Sequence, residues 1–347
     1  MAIFPPGQVT PLGDQITTLG TVPEIAFVAP SGNKWHIGGG QAPDAGIHSG
    51  MVLKQISGLQ PPFDLLDIQG ARQDGTTNLD TVFDPCVIDL TLEASAFTVD
   101  EFRRVVRAWI SDWTPPNVLT MSWFTRELGE WWMPVRQYKT FPDQLLAIPA
   151  MHRRQVFTWT CRGDNAFWYG VDSVSSFALA SGQSSGSGFN PVTNLGPLPT
   201  WLRHLVYGPG TFSIGDGTSG TSISFGPLLD GQIALISTLP RIRSVVDLSP
   251  DQAPQSLTKL QTLVEALLDY AISVQKPPLL QYFESLFGIL PPNGPLYSLL
   301  GGRFQTPIPG KPDGAMPTTS YIPVSISGGN SNSKIVTAIT PYRTYPE

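Results

Sequence analysis

The chain has 347 residues, of which 14% are charged and 41% hydrophobic. A charged fraction well below the usual quarter leaves surface to be buried against neighbouring subunits, and Gly and Pro, 34 each, favour short strands and many turns over long helices. A net charge of -6 argues against a phosphate-neutralising surface that would grip nucleic acid.

The N-terminal residues 1–24 are rich in Pro, Gly and Thr, and an extended arm is expected there. MAIFPPGQVTPLGD has neither a basic n-region nor an apolar h-region, so no secretory signal is expected. No apolar run approaches the roughly 18 residues that span a bilayer. Synthesis in a cytoplasm and a soluble life are the expectation.

Regular structure is expected to begin with IAFVAP (25–30), turn through SGNKW and continue into WHIGGG. The stretch from His48 to Gly75 alternates weakly and carries turn signals at PPF and QDG. VFDPCVIDLTLEA (82–94) predicts one strand, with Ile88, Leu90 and Leu92 on one face and Asp89, Thr91 and Glu93 on the other. A helix is predicted next, over 98–113. Thr98 and Glu101 form a T-x-x-E capping box, and Phe102, Val105, Val106, Trp109, Ile110 and Trp113 fall on one face. Arg103, Arg104 and Arg107 lie mainly outside that stripe, and Pro115-Pro116 stops the helix.

Residues 118–162 predict consecutive strands, VLTMSWF, WWMPVRQY, LLAIPAM and RRQVFTWTCR, with TRELGE as the first turn. Adjacent Trp131 and Trp132 must point to opposite faces of their strand, so one is expected in the core and the other at a surface, an interface or a ligand. ASGQSSGSG (180–188) predicts a flexible linker and the main domain boundary. This makes 25–179 a β-sandwich braced by a helix. A second β-sandwich, 189–347, opens with TWLRHLVYGPG, FSIGDGTSG and TSISFGPLLDGQIALIS. Helical spacing over about 254–302 predicts an insertion in that sandwich, before the closing strands SYIPVSIS and KIVTAITPYR.

Two motifs look catalytic and are discounted. Gly182-Gln183-Ser184-Ser185-Gly186 matches G-x-S-x-G but lies in a Gly/Ser tract, with His204 the only later histidine. Gly215-Asp216-Gly217-Thr218-Ser219-Gly220 matches G-x-G-x-x-G, yet a strand follows where a dinucleotide site needs a helix. A hairpin loop is expected instead. Cys86 and Cys161 read as small buried hydrophobes. His36, His48, His152 and His204 are too scattered for a zinc site. The pairs Asp64/Asp67 and Asp74/Asp80 are expected in loops and gain acid–base meaning only if folding joins them. No catalytic residue, metal or cofactor is assigned. Tryptophans on strands could stack sugar rings, but core and interface packing is the stronger expectation.

The order of these segments carries a resemblance. VIDLTLEA, the capped helix DEFRRVVRAWISDW, LTMSWF, WWMPVRQYK and RRQVFTWTCRGDNAFWYG come first. An N-x-G, a Pro, YGPG, DGTSG and LLDGQIALIST follow. This order resembles the distal tail proteins of long-tailed bacteriophages, the minor tail proteins of actinobacterial phages, over about residues 25–250 and 318–343. The helical block 254–302 and the long arm depart from the simplest form of that family. The resemblance implies a non-enzymatic virion protein at the distal end of the tail, with an N-terminal sandwich forming a homohexameric ring and a galectin-like C-terminal sandwich. Its implied partners are its own copies, the tail tube protein, the tail hub or tail-associated protein, and the tape measure protein. Ring contacts are expected from the arm, the insertion, Arg103, Arg104, Arg107, Trp131 and Trp132. Two alternatives stay open: a glycan- or receptor-binding module using Trp201, and a cell-wall glycan hydrolase with two carboxylates in a cleft.

Overall fold

A computed structural model describes residues 22–43, 48–71, 74–141, 153–239, 244–249, 295–312 and 315–347. Within them the protein is mainly β. The described residues divide into two units: one runs to Tyr169 and takes back Arg343–Glu347, and the other is Gly170–Tyr342.

The first unit contains β1 (Glu24–Val28), β2 (Lys34–Gly38), β3 (Gly50–Ser57), β4 (Phe63–Ile68), β5 (Thr77–Phe83) and β6 (Cys86–Ser95), then helix α1 (Val99–Trp113). After the helix come β7 (Leu119–Thr125), β8 (Gly129–Gln137), β9 (Arg154–Gly163) and the short β10 (Trp168–Tyr169). Its main sheet has the order β2-β1-β7-β8-β9-β6-β3. β8 and β9 pair only through Arg136↔Arg162 and Gln137↔Cys161. The sheet is therefore two halves, β2-β1-β7-β8 and β9-β6-β3, joined by a short β8–β9 seam, with β2 also lying beside β3. The strand predicted over 82–94 is divided at Asp84-Pro85, where Pro cannot donate to a ladder: β5 turns away to pair with β4, and β6 pairs with β9 over its whole length.

Helix α1 forms where the periodicity predicts it. Thr98 accepts from the Glu101 backbone N–H at 3.2 Å. The Glu101 carboxylate, expected to complete a reciprocal capping box, instead accepts from Ser49 Oγ at 3.2 Å. That ties the helix start to the strand beside it. Phe102, Trp109 and Trp113 are buried and Val105, Val106 and Ile110 half-buried, while Arg103, Arg104 and Arg107 are exposed.

The two helix tryptophans fill the space between the sheet halves. Trp113 lies 5.1 Å from Phe27 of β1 and 5.6 Å from Trp159 of β9. Trp109 meets the same two rings at 6.0 and 5.8 Å and Trp35 of β2 at 5.3 Å. These are edge-to-face distances, at which the ring quadrupoles attract beyond the area they bury. One turn of helix also carries the buried Asp112. Its carboxylate accepts from Ser31 Oγ (2.8 Å), Asn33 Nδ2 (3.1 Å) and Trp35 Nε1 (2.8 Å), which pins the β1–β2 turn to the helix.

The second unit is a two-sheet sandwich. Its strands are β11 (Ser173–Ala178), β12 (Ser185–Thr193), β13 (Leu202–Tyr207), β14 (Gly210–Gly215), β15 (Ser222–Leu228), β16 (Ile233–Ser237), β17 (Ser244–Asp247), β18 (Thr319–Ser327) and β19 (Lys334–Ile339). One sheet is β11-β19-β13-β16-β17 and the other β12-β18-β14-β15. Val206, Ile236 and Ile335 from the first pack with Phe212, Ile214, Phe225 and Ile326 from the second. β18 and β19 occupy interior positions, so strands from both sides of the predicted insertion complete the same two sheets.

The Gly/Ser tract 180–188 is not a free linker: it enters β12 at Ser185, and β12 pairs with β18 from Ser185↔Ser327 to Thr193↔Thr319. Gly186 and Gly188 are set by packing, while Gly182 takes a positive φ in open space. A Cβ on Gly188 would come within 2.6 Å of the Phe177 ring, and one on Gly186 within 2.9 Å of Leu179. The arm over 1–21, the predicted strand LLAIPAM and the predicted helices up to residue 294 lie outside the described residues; residues 295–299 form a 3-10 turn.

Replacing either helix tryptophan by alanine is expected to cost the first unit about 3–5 kcal/mol, as large-to-small changes in a packed aromatic core do. Arg103→Ala, on the exposed face, is expected to stay within about 0.5 kcal/mol of wild type. Urea denaturation followed by tryptophan fluorescence measures both.

Candidate functional site

The sequence motifs that resemble catalytic sites are used structurally. Gly215–Gly220 is the hairpin between β14 and β15, with Asp216 N–H donating to Thr221 O and the positive-φ positions taken by Gly217 and Gly220. Asp216 is buried, and its carboxylate accepts from the backbone N–H groups of Gln305 (2.9 Å) and Thr306 (3.1 Å) and from Thr306 Oγ1 (3.2 Å). It anchors a loop, not a pyrophosphate. Ser184 of the G-x-S-x-G string is exposed at the entrance to β12, and no helix follows it.

His204 is fully buried in β13. Its Nδ1 lies 3.0 Å from Thr337 Oγ1, which also accepts from Asn190 Nδ2 at 2.8 Å, and its ring stacks on Phe304. Burial lowers its pKa to about 3, so the imidazole is neutral. Asp172 shows the opposite effect. Its two carboxylate oxygens are shielded from solvent, and burial pushes it up to about 7, with Thr340 and Arg203 offsetting part of the shift. Cys86 and Cys161 are buried free thiols; burial raises both, Cys86 to about 12, which leaves no reactive thiolate. Among the described residues no three His, Cys, Asp or Glu side chains converge as a metal site.

The acidic pairs expected in loops lie mostly on strands. Asp64 and Asp67 belong to β4 and Asp80 to β5, all exposed, with Asp67 accepting from Asn78 Nδ2 at 2.9 Å. They line a two-stranded ribbon rather than a cleft.

The surfaces are more informative. Arg103 pairs at 3.8 Å with Asp100 of the same helix. Arg104 and Arg107, one turn apart on the exposed side of α1, form no ion pair among the described residues. Trp131 and Trp132 depart from expectation, because both are buried within the first unit. Trp131 joins the core, donates to Leu128 O at 3.1 Å and lies under the Arg343 guanidinium at 4.8 Å. Trp132, on the other face, donates to Glu130 Oε1 at 3.1 Å, which also accepts from Ser122 Oγ at 2.7 Å. The C-terminal residues and β10, which pairs with β8 at Tyr169↔Trp132, supply neighbours that strand alternation alone does not reveal. Trp201 is half-buried at the entry to β13.

One surface was missed by the sequence reading. Among the described residues the β4–β5 ribbon pairs with no other strand. Phe63, Leu65, Leu66, Ile68 and Leu79 on it are each at least 48% exposed. The adjacent leucines 65 and 66 put apolar groups on both faces, which no single buried face explains. That was the available signal.

No protein-family model matches the chain, and no curated protein matches its sequence. The crystal structure of the SPP1 Dit protein (gp 19.1), described as a paradigm of the hub adsorption apparatus in phages infecting Gram-positive bacteria, superposes with a TM-score of 0.50. It does so at 8% identity, over 93% of this chain and 99% of that one. Chains of the phage P2 baseplate in its activated conformation, with Ca and with Sr, align over the same shares at 8% and 9% identity, each with a TM-score of 0.48. The likeness to SPP1 Dit establishes a common fold.

His204 and Asp172 make opposite contributions to pH dependence. His204 takes up its proton only on unfolding between pH 6.5 and about 3, so its contribution is complete above 6.5 and lost as pH falls. Asp172 gives up its proton on unfolding between pH 3.8 and about 7, so its contribution is complete below 3.8 and lost as pH rises. Asp172→Asn is therefore expected to steepen the loss of stability on acidification from pH 6.5 to 4, and His204→Gln to flatten or reverse it. Urea midpoints across that range measure both.

Proposed function

We propose that the chain is a structural protein of a phage tail tip, a distal tail protein whose copies form a homohexameric ring joining the tail tube to the hub or baseplate. The observation that carries this reading is the fold likeness to SPP1 Dit, which extends over both units and nearly all of each chain. The molecule is also built as such a component needs. Its charge is sparse, its motifs of catalytic appearance are structural, and the first unit carries an apolar ribbon with no partner strand among the described residues. The tail tube protein would lie on one side of the ring and the tail hub or tail-associated protein on the other, with the tape measure protein nearby. The working place is the distal end of the virion tail, and the role is not enzymatic.

Native mass spectrometry of the full chain is expected to give a six-copy species, and the protein is expected to co-purify with a tail tube or hub protein expressed beside it. A stable monomer at high concentration that captures neither would overturn the reading.

A second reading rests on β12 and β18. Phe189 and Tyr321 are 63% and 66% exposed, and with Pro191 and Pro323 they project from the outward side of that pair, opposite the buried Asn190, Val192, Ile322 and Val324. Such a neutral aromatic surface could stack sugar rings. Retention of the full chain on cell-wall glycan, lost in Phe189→Ala/Tyr321→Ala or in Trp201→Ala, is the result this reading expects; absence of retention removes it.

A further inference from the structure

We infer that the β4–β5 ribbon of one copy docks on the exposed side of α1 of the next, with Asp64 and Asp80 facing Arg104 and Arg107. The inference rests on the ring reading and specifies its contact.

The first observation is that the ribbon is incomplete alone. A two-stranded hairpin is marginal in water, and this one exposes Phe63, Leu65, Leu66, Ile68 and Leu79 while, among the described residues, hydrogen-bonding to no third strand. Its base is fixed. Phe83 packs on Phe167 at 5.0 Å, the Asp84 N–H donates to Pro62 O, and Trp168 Nε1 donates to Leu59 O at 2.9 Å. A ribbon held firmly at its base and apolar beyond it is shaped to be covered by something else.

The second observation is charge complementarity. The register Asp64↔Val82 and Leu66↔Asp80 puts these four residues on one side of the ribbon, the two carboxylates on one diagonal and the exposed Leu66 and half-buried Val82 on the other, while Phe63 and Leu65 lie on the opposite side. Among the described residues neither carboxylate is in an ion pair. The exposed side of α1 offers the complement. Arg104 and Arg107 share a face at i, i+3, are exposed and unpaired among the described residues, and carry aliphatic stems that can lie along Leu66 and Val82 while the guanidinium groups reach the carboxylates. Arg103 is already held by Asp100. Ribbon and helix lie on different parts of the first unit, so the contact joins unlike patches, as successive copies around a ring require.

The test is sedimentation velocity on the full-length protein at a concentration where wild type assembles. Asp64→Arg/Asp80→Arg and, separately, Arg104→Asp/Arg107→Asp are expected to weaken assembly at least about tenfold by placing like charges together. All four residues are exposed, so circular dichroism and melting should match wild type. Combining the four changes in one chain is expected to restore assembly. Leu66→Ser, which removes apolar contact without altering charge, is expected to weaken assembly too. Rings that form normally in every ribbon variant overturn this contact while leaving the ring reading intact, and so does failure of the combined variant to recover. If the ribbon variants lose only capture of a tail tube or hub protein, the ribbon belongs to that partner and the inference falls. A wild-type chain that never assembles overturns both.

Discussion

The first unit depends on two tryptophans of one helix turn. Among the described residues the sheet halves hydrogen-bond along a short β8–β9 seam, Arg136 and Gln137 against Arg162 and Cys161 with the Tyr138 N–H donating to Thr160 O, and β2 lies beside β3 at the other edge. What holds them apart and together is the wedge of Trp109 and Trp113 between Phe27 on one half and Trp159 on the other. The wedge is almost purely a packing device. The indole N–H groups of Trp109, Trp113 and Trp159 find no acceptor among the described residues, a cost accepted for large buried rings in edge-to-face contact. Directionality comes from Asp112 between them, whose three accepted hydrogen bonds fix the β1–β2 turn. With its apolar stripe committed inward, the helix necessarily presents Arg104 and Arg107 outward. Core stripe and exposed arginine face are two sides of one amphipathic element.

The second unit places its polar chemistry inside. His204, Thr337 and Asn190 link the two sheets in the middle of the sandwich, and Asp216 secures the loop at residues 305–306. Groups so buried select one register among similar strands. That is how a chain can carry a histidine, a G-x-S-x-G string and a G-x-G-x-x-G string without any of them forming an active site.

What the sequence revealed follows the range of the interactions concerned. α1 was legible because capping and a 3.6-residue stripe are local, and the β14–β15 hairpin because Gly-rich turn chemistry is local. The reciprocal half of the capping box was not, since Ser49, 52 residues away in sequence, takes the Glu101 carboxylate. Trp131 and Trp132 were misjudged for the same reason: alternation separates two faces of a strand but cannot show that both are covered. The Gly/Ser tract looked like a linker because composition cannot distinguish glycines chosen for freedom from glycines chosen for the space a phenylalanine needs. The ribbon was hidden because its apolar residues follow no buried periodicity. The one local trace is the adjacent Leu65 and Leu66, which put apolar groups on both faces of β4.

On the proposed reading, the protein is a part whose function is completed by its copies. Its core is self-sufficient, its conspicuous motifs are structural, and its unsatisfied surface is an apolar ribbon opposite in charge to its own helix. Negative-stain electron microscopy of the purified full-length chain tests this most directly. The account predicts closed rings with a central hole, six copies around. A field of separate single particles at concentrations well above micromolar would contradict it.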